Sequence, residues 1–188
     1  MTTGGTGRVR VWGLPVRIVH WGLVLCVAVA WLTGHGPAWL HDGAGYVLLA
    51  LIGLRVIRGI FGPPADRFAR FVAGWRGTLG YARKVLSRRE PRFLGHNPLG
   101  AWMIVALLTV GFATGLTGWL YTTDRFWGVA WLESLHVGLA VSMLVLIFCH
   151  IAGVVFTSFR QGENLAAAMV HGCKPKTTAR HPETAIDP

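Results

Sequence analysis

Residues 134–159 read SLHVGLAVSMLVLIFCHIAGVVFTSF and contain no Asp, Glu, Lys or Arg. A helix needs about 20 apolar residues to cross the hydrocarbon core of a bilayer, so this stretch is long enough to span one. Two histidines interrupt it, His136 and His150, 14 positions apart. Fourteen helical steps of about 100° end roughly 40° short of four full turns, so both imidazoles project from one face. At about 1.5 Å per residue they stand roughly 21 Å apart along the axis, about two-thirds of the hydrocarbon thickness. One helix thus presents a histidine near each side of a membrane. Ionisable side chains in a spanning segment are costly and mark function by default.

Three more apolar runs precede it, at roughly residues 18–33, 43–54 (continuing to 60 past Arg55 and Arg58) and 98–123. The last of these is long enough alone. The first two reach a spanning length when Arg17, Arg55 and Arg58 snorkel to the headgroups. Composition agrees: of 188 residues 53% are hydrophobic and 14% charged, with a mean hydropathy of +0.48. Soluble domains carry about 25% charged residues. The first run also has the form of a signal peptide, with Arg8, Arg10 and Arg17 ahead of it and Ala28-Val29-Ala30 resembling a cleavage site. Trp31 and Leu32 continue the apolar run past that point, which favours a retained span. Cys26 and Cys149 lie in apolar runs and behave as small hydrophobes. Without a C-x-x-C-H motif no covalently attached c-type haem is expected.

The formal charge of +10 is sorted by side. Of 18 Lys and Arg, Arg125 alone lies in a loop together with Asp124 and Glu133. The others fall in the N-terminal tail, the end of the second span, the central loop or the C-terminal tail. Cytoplasmic loops carry the Lys/Arg excess, so the expected topology is N-in/C-in. The charge then reads as membrane topology, with lipid and no nucleic acid as its partner. Trp39, Trp119, Tyr121, Trp127 and Trp131 gather near the opposite boundary as an aromatic belt.

In the central loop, Phe68, Phe71, Val72, Trp75, Leu79, Ala82 and Leu86 recur at steps of three and four. They form one stripe, with most of Arg67, Arg70, Arg83, Lys84 and Arg88 off it, which predicts an amphipathic helix on the membrane surface. Gly74, Gly77 and Gly80 weigh against its continuity. The expected architecture is an all-α integral membrane four-helix bundle. Residues 1–173 form its one domain, and residues 174–188 a polar, disordered tail.

Topology pairs the histidines. His20 sits near the inner end of the first span, at the depth of His150. His41 opens the second span on the outer side, where His136 opens the fourth. Two pairs at two depths on three helices are what two stacked bis-histidine haem sites require. Each ligand's second nitrogen then needs an acceptor, and a carbonyl four residues earlier is a candidate. A zinc site would need its ligands to converge at one point, which His136 and His150 cannot do. A proton relay lacks an intramembrane carboxylate. Taken singly, each histidine is better read as hydrogen-bonding a neighbouring helix; four at two matched depths favour metal or haem. His35, in the turn Gly34-His35-Gly36-Pro37, is the rival of His41. His96 precedes the third span, where it either caps that helix or borders a quinone pocket. Arg17 and Arg55 stand where haem propionates would emerge, or simply anchor their helices. His171 and His181 read as tail residues. The third span has no histidine, and its Gly111-x-x-x-Gly115 and Gly118 read as packing positions without chemistry.

The chain resembles the bacterial cytochrome b561 family and the related cytochrome b subunits of nickel-iron hydrogenases. The likeness lies in Val11-Trp12-Gly13-Leu14-Pro15-Val16-Arg17 with His20-Trp21, and in Leu40-His41 with Gly45-Tyr46. It continues in Leu94-Gly95-His96-Asn97-Pro98-Leu99-Gly100, Leu135-His136, His150-Ile151-Ala152-Gly153-Val154 and Glu163-Asn164-Leu165. The resemblance covers about residues 9–174. It implies two non-covalent haem b groups on His20, His41, His136 and His150 in a bacterial cytoplasmic (inner) membrane. It also implies electron exchange between the quinone pool and a periplasmic or membrane partner: a c-type cytochrome, a hydrogenase or a dehydrogenase. Gly13 stands where family members often carry Asp. Hydrogenase cytochromes often have an additional span, which weighs against a dedicated hydrogenase subunit.

With both axial positions filled by histidine, no iron site is left open for oxygen, and outer-sphere electron transfer is expected. Two other readings compete with an electron carrier. One is a self-contained superoxide:quinone oxidoreductase, for which Arg125 is the sole steering cation. The other is a haem-free membrane scaffold or transporter.

Overall fold

The computed structural model describes residues 7–176. Its chain order is β1 (Arg8–Arg10), α1 (Leu14–Leu32), α2 (Ala38–Phe61), a 3-10 turn (Pro64–Asp66), α3 (Phe68–Phe71) and α4 (Trp75–Leu86). Then come α5 (Pro98–Tyr121), α6 (Ala130–Gln161), α7 (Leu165–His171) and β2 (Cys173–Pro175). The four long helices α1, α2, α5 and α6 are each long and apolar enough to cross a membrane. α6, at 32 residues, would reach about 48 Å and so outrun the roughly 30 Å hydrocarbon core.

Local chemistry sets the helix ends. Pro15 and Pro98 lie in the first turns of α1 and α5, where a missing N–H costs nothing. Asn97 caps α5, its side chain accepting from the Gly100 N–H at 2.7 Å. The cap is therefore Asn97, and the capping role considered for His96 does not hold. Gly162, in the left-handed region at φ 65°, ends α6.

Packing runs in series, α1 on α2, α2 on α5 and α5 on α6. Cys26, Leu48 and Ile52 are buried at the first contact, with Leu23, Val27, Leu51, Val56 and Leu108 around them. A Cβ on Gly111 would meet Met143 at 2.7 Å and one on Gly115 would meet Leu49 at 2.8 Å, so both glycines serve close helix approach. α1 and α6, the outer members of the series, are not packed face to face. Large side chains such as Leu25, Phe148 and Phe159 stand out from the bundle, 64%, 75% and 80% exposed. An apolar surface of this extent suits lipid as the surrounding solvent.

The two ends of the bundle differ. One, here the aromatic end, holds the α1–α2 and α5–α6 turns with Trp39, Trp119, Trp127 and Trp131 exposed. The other, the basic end, holds both ends of the described segment, at Gly7 and Lys176, and residues 62–97. There every described acidic side chain is taken by a cation: Asp66 by Arg58 (2.7 Å), Glu90 by Arg160 (2.6 Å) and Glu163 by Arg92.

Three expectations change. The fold is mostly helical but not purely so, because β1 and β2 pair as an antiparallel ribbon. The boundary expected at residue 174 falls inside β2, where Lys174 is buried; residues 177–188, with His181, lie outside the described residues. The amphipathic stripe forms two helices, α3 and α4, interrupted at residues 72–74. Gly74 is extended and becomes the N-cap of α4, and a Trp102 indole bond to the Ala73 carbonyl (3.0 Å) holds the interruption against α5.

Candidate functional site

At the aromatic end, α2 and α6 bring His41 and His136 together. Their ring centroids lie 6.1 Å apart with planes inclined by 76°. A metal–imidazole bond is about 2 Å long, so two rings ligating one ion from opposite sides stand with centroids roughly 6 Å apart. Each ring is tied through Nδ1. His41 donates to the Ala30 carbonyl on α1 at 2.8 Å. His136 donates to the Thr114 carbonyl on α5 at 3.1 Å, with the Thr117 hydroxyl 3.2 Å away. A carbonyl only accepts, so these bonds place the proton on Nδ1 and leave the Nε2 lone pair free for a metal.

The rings border a cleft with about 720 Å³ of empty space, counting its open mouth. All four long helices line it, among them Val27, Leu48, Gly115, Gly118 and Met143. The lining is largely apolar with few convergent polar groups, as cofactor sites are. A Cβ on Gly118 would lie 3.0 Å from His136 Cε1, so the missing side chain makes room for the ring. These observations fit a flat metal-centred group held between two imidazoles. His35, the rival ligand, is exposed in the turn after α1.

The acceptors correct two expectations. None is four residues earlier on the histidine's own helix; each lies on a neighbouring helix. α5, read as packing alone, supplies the Thr114 carbonyl, the Thr117 hydroxyl and the space at Gly118. No periodicity in the sequence marks Ala30 or Thr114, because a backbone carbonyl becomes an acceptor only through tertiary placement.

At the basic end, His20 on α1 and His150 on α6 are half-buried, within electrostatic reach of one another and of His96. His20 Nδ1 is buried with no hydrogen-bond partner among the described residues. Buried polar groups are normally satisfied, and an unpartnered ring nitrogen here also fits a ligand position for a metal-centred group. Trp21 meets the His20 ring edge-on at 5.1 Å.

His96 is enclosed between Trp12 and Phe71, with ring centroids at 4.5 and 4.6 Å. Burial, then the nearby cations Arg55 and Lys174 and the imidazoles of His150 and His20, push its pKa down to about 3. It is therefore neutral at physiological pH. Arg55 is buried, donates to the Asp66 carbonyl (3.3 Å) and lies over the Phe68 ring at 4.7 Å. Arg17 donates to the Val170 carbonyl, and its Nε has no partner among the described residues. Both arginines thus have anchoring contacts, and neither has a carboxylate partner among the described residues.

Residues 11–172 match the family model described as prokaryotic cytochrome b561. Among curated proteins the chain is 25% identical over 210 residues to a probable Ni/Fe-hydrogenase B-type cytochrome subunit of Rhizobium leguminosarum bv. viciae, covering 87% of each. It is 26% identical over 157 residues to the protein of the same description from Azotobacter vinelandii, covering 68% of this chain and 65% of that one. No solved structure matches the chain. With the family match spanning nearly the whole bundle, the chain belongs to the prokaryotic cytochrome b561 family and is a multi-pass membrane b-type cytochrome with an electron-transfer role.

Proposed function

We propose that the protein holds two haem b groups and carries electrons between the membrane quinone pool and a redox partner. His41 and His136 hold the group at the aromatic end, and His20 and His150 the one at the basic end. The observation that carries this reading is the His41–His136 pair, 6.1 Å apart with both Nδ1 atoms engaged elsewhere. When bound, haem b supplies reversible one-electron oxidation and reduction. The chain's own part is to fix both imidazoles in one tautomer and to line the site with apolar side chains; His41 and His136 would hold the group between them. Those features favour electron transfer over oxygen activation.

The concentration of cations at one end supports N-in/C-in topology in a bacterial cytoplasmic membrane, with the aromatic end on the periplasmic side. α4, with Trp75, Leu79 and Leu86 exposed beside Arg83 and Lys84, suits the cytoplasmic membrane surface. The enclosed, neutral His96 is a candidate wall of a quinone site at the basic end. The printed descriptions of the two relatives make a hydrogenase the first partner to test, ahead of a c-type cytochrome or another dehydrogenase. Arg125 lies over the Phe126 ring at 5.8 Å. One cation gives little steering, so superoxide:quinone oxidoreduction ranks below electron carriage.

Stopped-flow mixing of the purified, oxidised protein with a short-chain quinol tests the reading. The expected result is reduction of the b-type absorbance bands, slowed by His96→Ala. Bands that stay oxidised, in a protein that dithionite does reduce, would contradict the quinone link.

A further inference from the structure

α1 and α6 carry His20 and His150 but are not packed against each other. The segment after α6, residues 162–176, joins them at the basic end. It leaves α6 at Gly162, forms α7 against α6 and ends in β2. β2 pairs with β1 in the register Arg8–Pro175, Val9–Lys174 and Arg10–Cys173. The Gly172 carbonyl accepts from Val11 N (2.8 Å) and Trp12 N (3.1 Å), and the Gly7 carbonyl accepts from Lys176 N (2.8 Å). Two α1 side chains reach α7 as well: Arg17 donates to the Val170 carbonyl, and Trp21 Nε1 to the Met169 carbonyl (3.4 Å).

A seven-residue helix and a three-residue ribbon are not stable alone. A buried ionic cluster secures them. Glu163, just before α7, pairs with Arg92 from the loop before α5 and, at 3.7 Å, with Lys174 in β2. Arg92 also donates to the Pro175 carbonyl (2.6 Å) and the Lys176 carbonyl (3.1 Å), while Lys174 Nζ donates to the Phe93 carbonyl (3.2 Å). Both ends of the segment are thus fixed to one point.

His20 lies between the two α1 side chains that this segment holds. Its ring has no hydrogen bond of its own at Nδ1, unlike those of His41 and His136. The Trp21 indole meets it edge-on at 5.1 Å with planes 88° apart. The indole in turn is tied to Met169.

We infer that residues 162–176 are a clasp that sets the spacing and rotation of α1 against α6, with Trp21 as the positioning residue for the His20 ring. The inference rests on the proposed ligation by His20 and His150. Gly172 is the point at which to break the clasp: its φ is +83°, and a Cβ there would meet the Trp12 carbonyl oxygen at 2.7 Å.

The experiment compares full-length wild type, Gly172→Val, Trp21→Phe and His150→Ala by pyridine haemochrome, low-temperature EPR and potentiometric titration. Gly172→Val is expected to fall from two haems per chain to one, losing the same signal that His150→Ala loses. Trp21→Phe keeps an aromatic side chain beside His20 but replaces the indole by a phenyl ring with no N–H. It is expected to retain both haems and to shift the g-values and midpoint potential of the basic-end signal alone. A Gly172→Val protein with both signals unchanged overturns the clasp. If that variant does not accumulate, Trp21→Phe decides, and unchanged g-values and potential overturn the positioning role. If His150→Ala keeps two haems, the ligand assignment beneath the inference is what fails.

Discussion

The two histidine pairs of the bundle sit in unlike surroundings. At the aromatic end, His41 and His136 face each other across an apolar cleft, each tied by a carbonyl on an adjoining helix. The series of packed helices alone fixes their distance. At the basic end, His20 has an untied ring nitrogen, and its helix meets that of His150 through residues that follow the last span. Three acid–base pairs lie at the same end of the bundle. One pair is thus placed by helix packing and the other by a polar platform, so the two should respond differently to perturbation.

Removing a ligand should have the largest effect. His136→Ala and His41→Ala should each abolish the same haem signal and spare the other, as read by reduced-minus-oxidised spectra. Loss of different signals in the two variants would break the pairing. Next comes Arg92→Met, which leaves Glu163 only the longer contact to Lys174 at 3.7 Å; the Arg92 and Glu163 side chains are 1% exposed in the native protein. Breaking a buried pair by removing one partner costs about 3–5 kcal/mol. Thermal melts in detergent should drop sharply, with the basic-end signal lost before the other. Replacing Arg92, Glu163 and Lys174 together by Met should do less damage than Arg92→Met alone, and equal damage would show that the pairing is not what matters there.

Gly118→Val should act at the opposite end. Its Cβ would press on the His136 ring, and overpacking of this kind costs about 1–3 kcal/mol. The aromatic-end potential should shift while the basic-end one stays; a change confined to the basic end would reverse the comparison. The smallest effect at neutral pH concerns His96. Its folded pKa, about 3, lies below the ordinary 6.5, so the unfolded chain takes up the proton first as pH falls. Stability from this group is complete above about pH 6.5 and is lost progressively toward pH 3. His96→Phe should flatten the acid limb of a melting-temperature profile recorded over that range, and an unaltered limb would remove His96 from the account.

The spans were legible because hydropathy is local: residues 98–123 and 134–159 show as α5 and α6 to within a few positions. The His41–His136 meeting was legible because helical arithmetic and alternating direction match depths without any tertiary knowledge. What escaped reading depends on partners far along the chain. The Ala30 and Thr114 carbonyls carry no signature of their own. The Arg8–Pro175 ribbon joins short polar segments more than 160 residues apart, which no periodicity can flag. Glu163-Asn164-Leu165 was noticed as a motif, yet its content, a buried Glu163 on Arg92 and a cap by Asn164 on the Ala167 N–H, lies in contacts across the fold. The apolar spacing from Phe68 to Leu86 predicts one helix, but the backbone breaks before Trp75, with Gly74 as the N-cap of α4.

The central claim is that one bundle holds two haem groups on two histidine pairs. Pyridine haemochrome per mole of chain, with a potentiometric titration of the same purified sample, tests it most directly. The account predicts two haem b per chain, both low-spin, titrating as two separate components. A single haem per chain, or a high-spin component in the intact wild type, would contradict it.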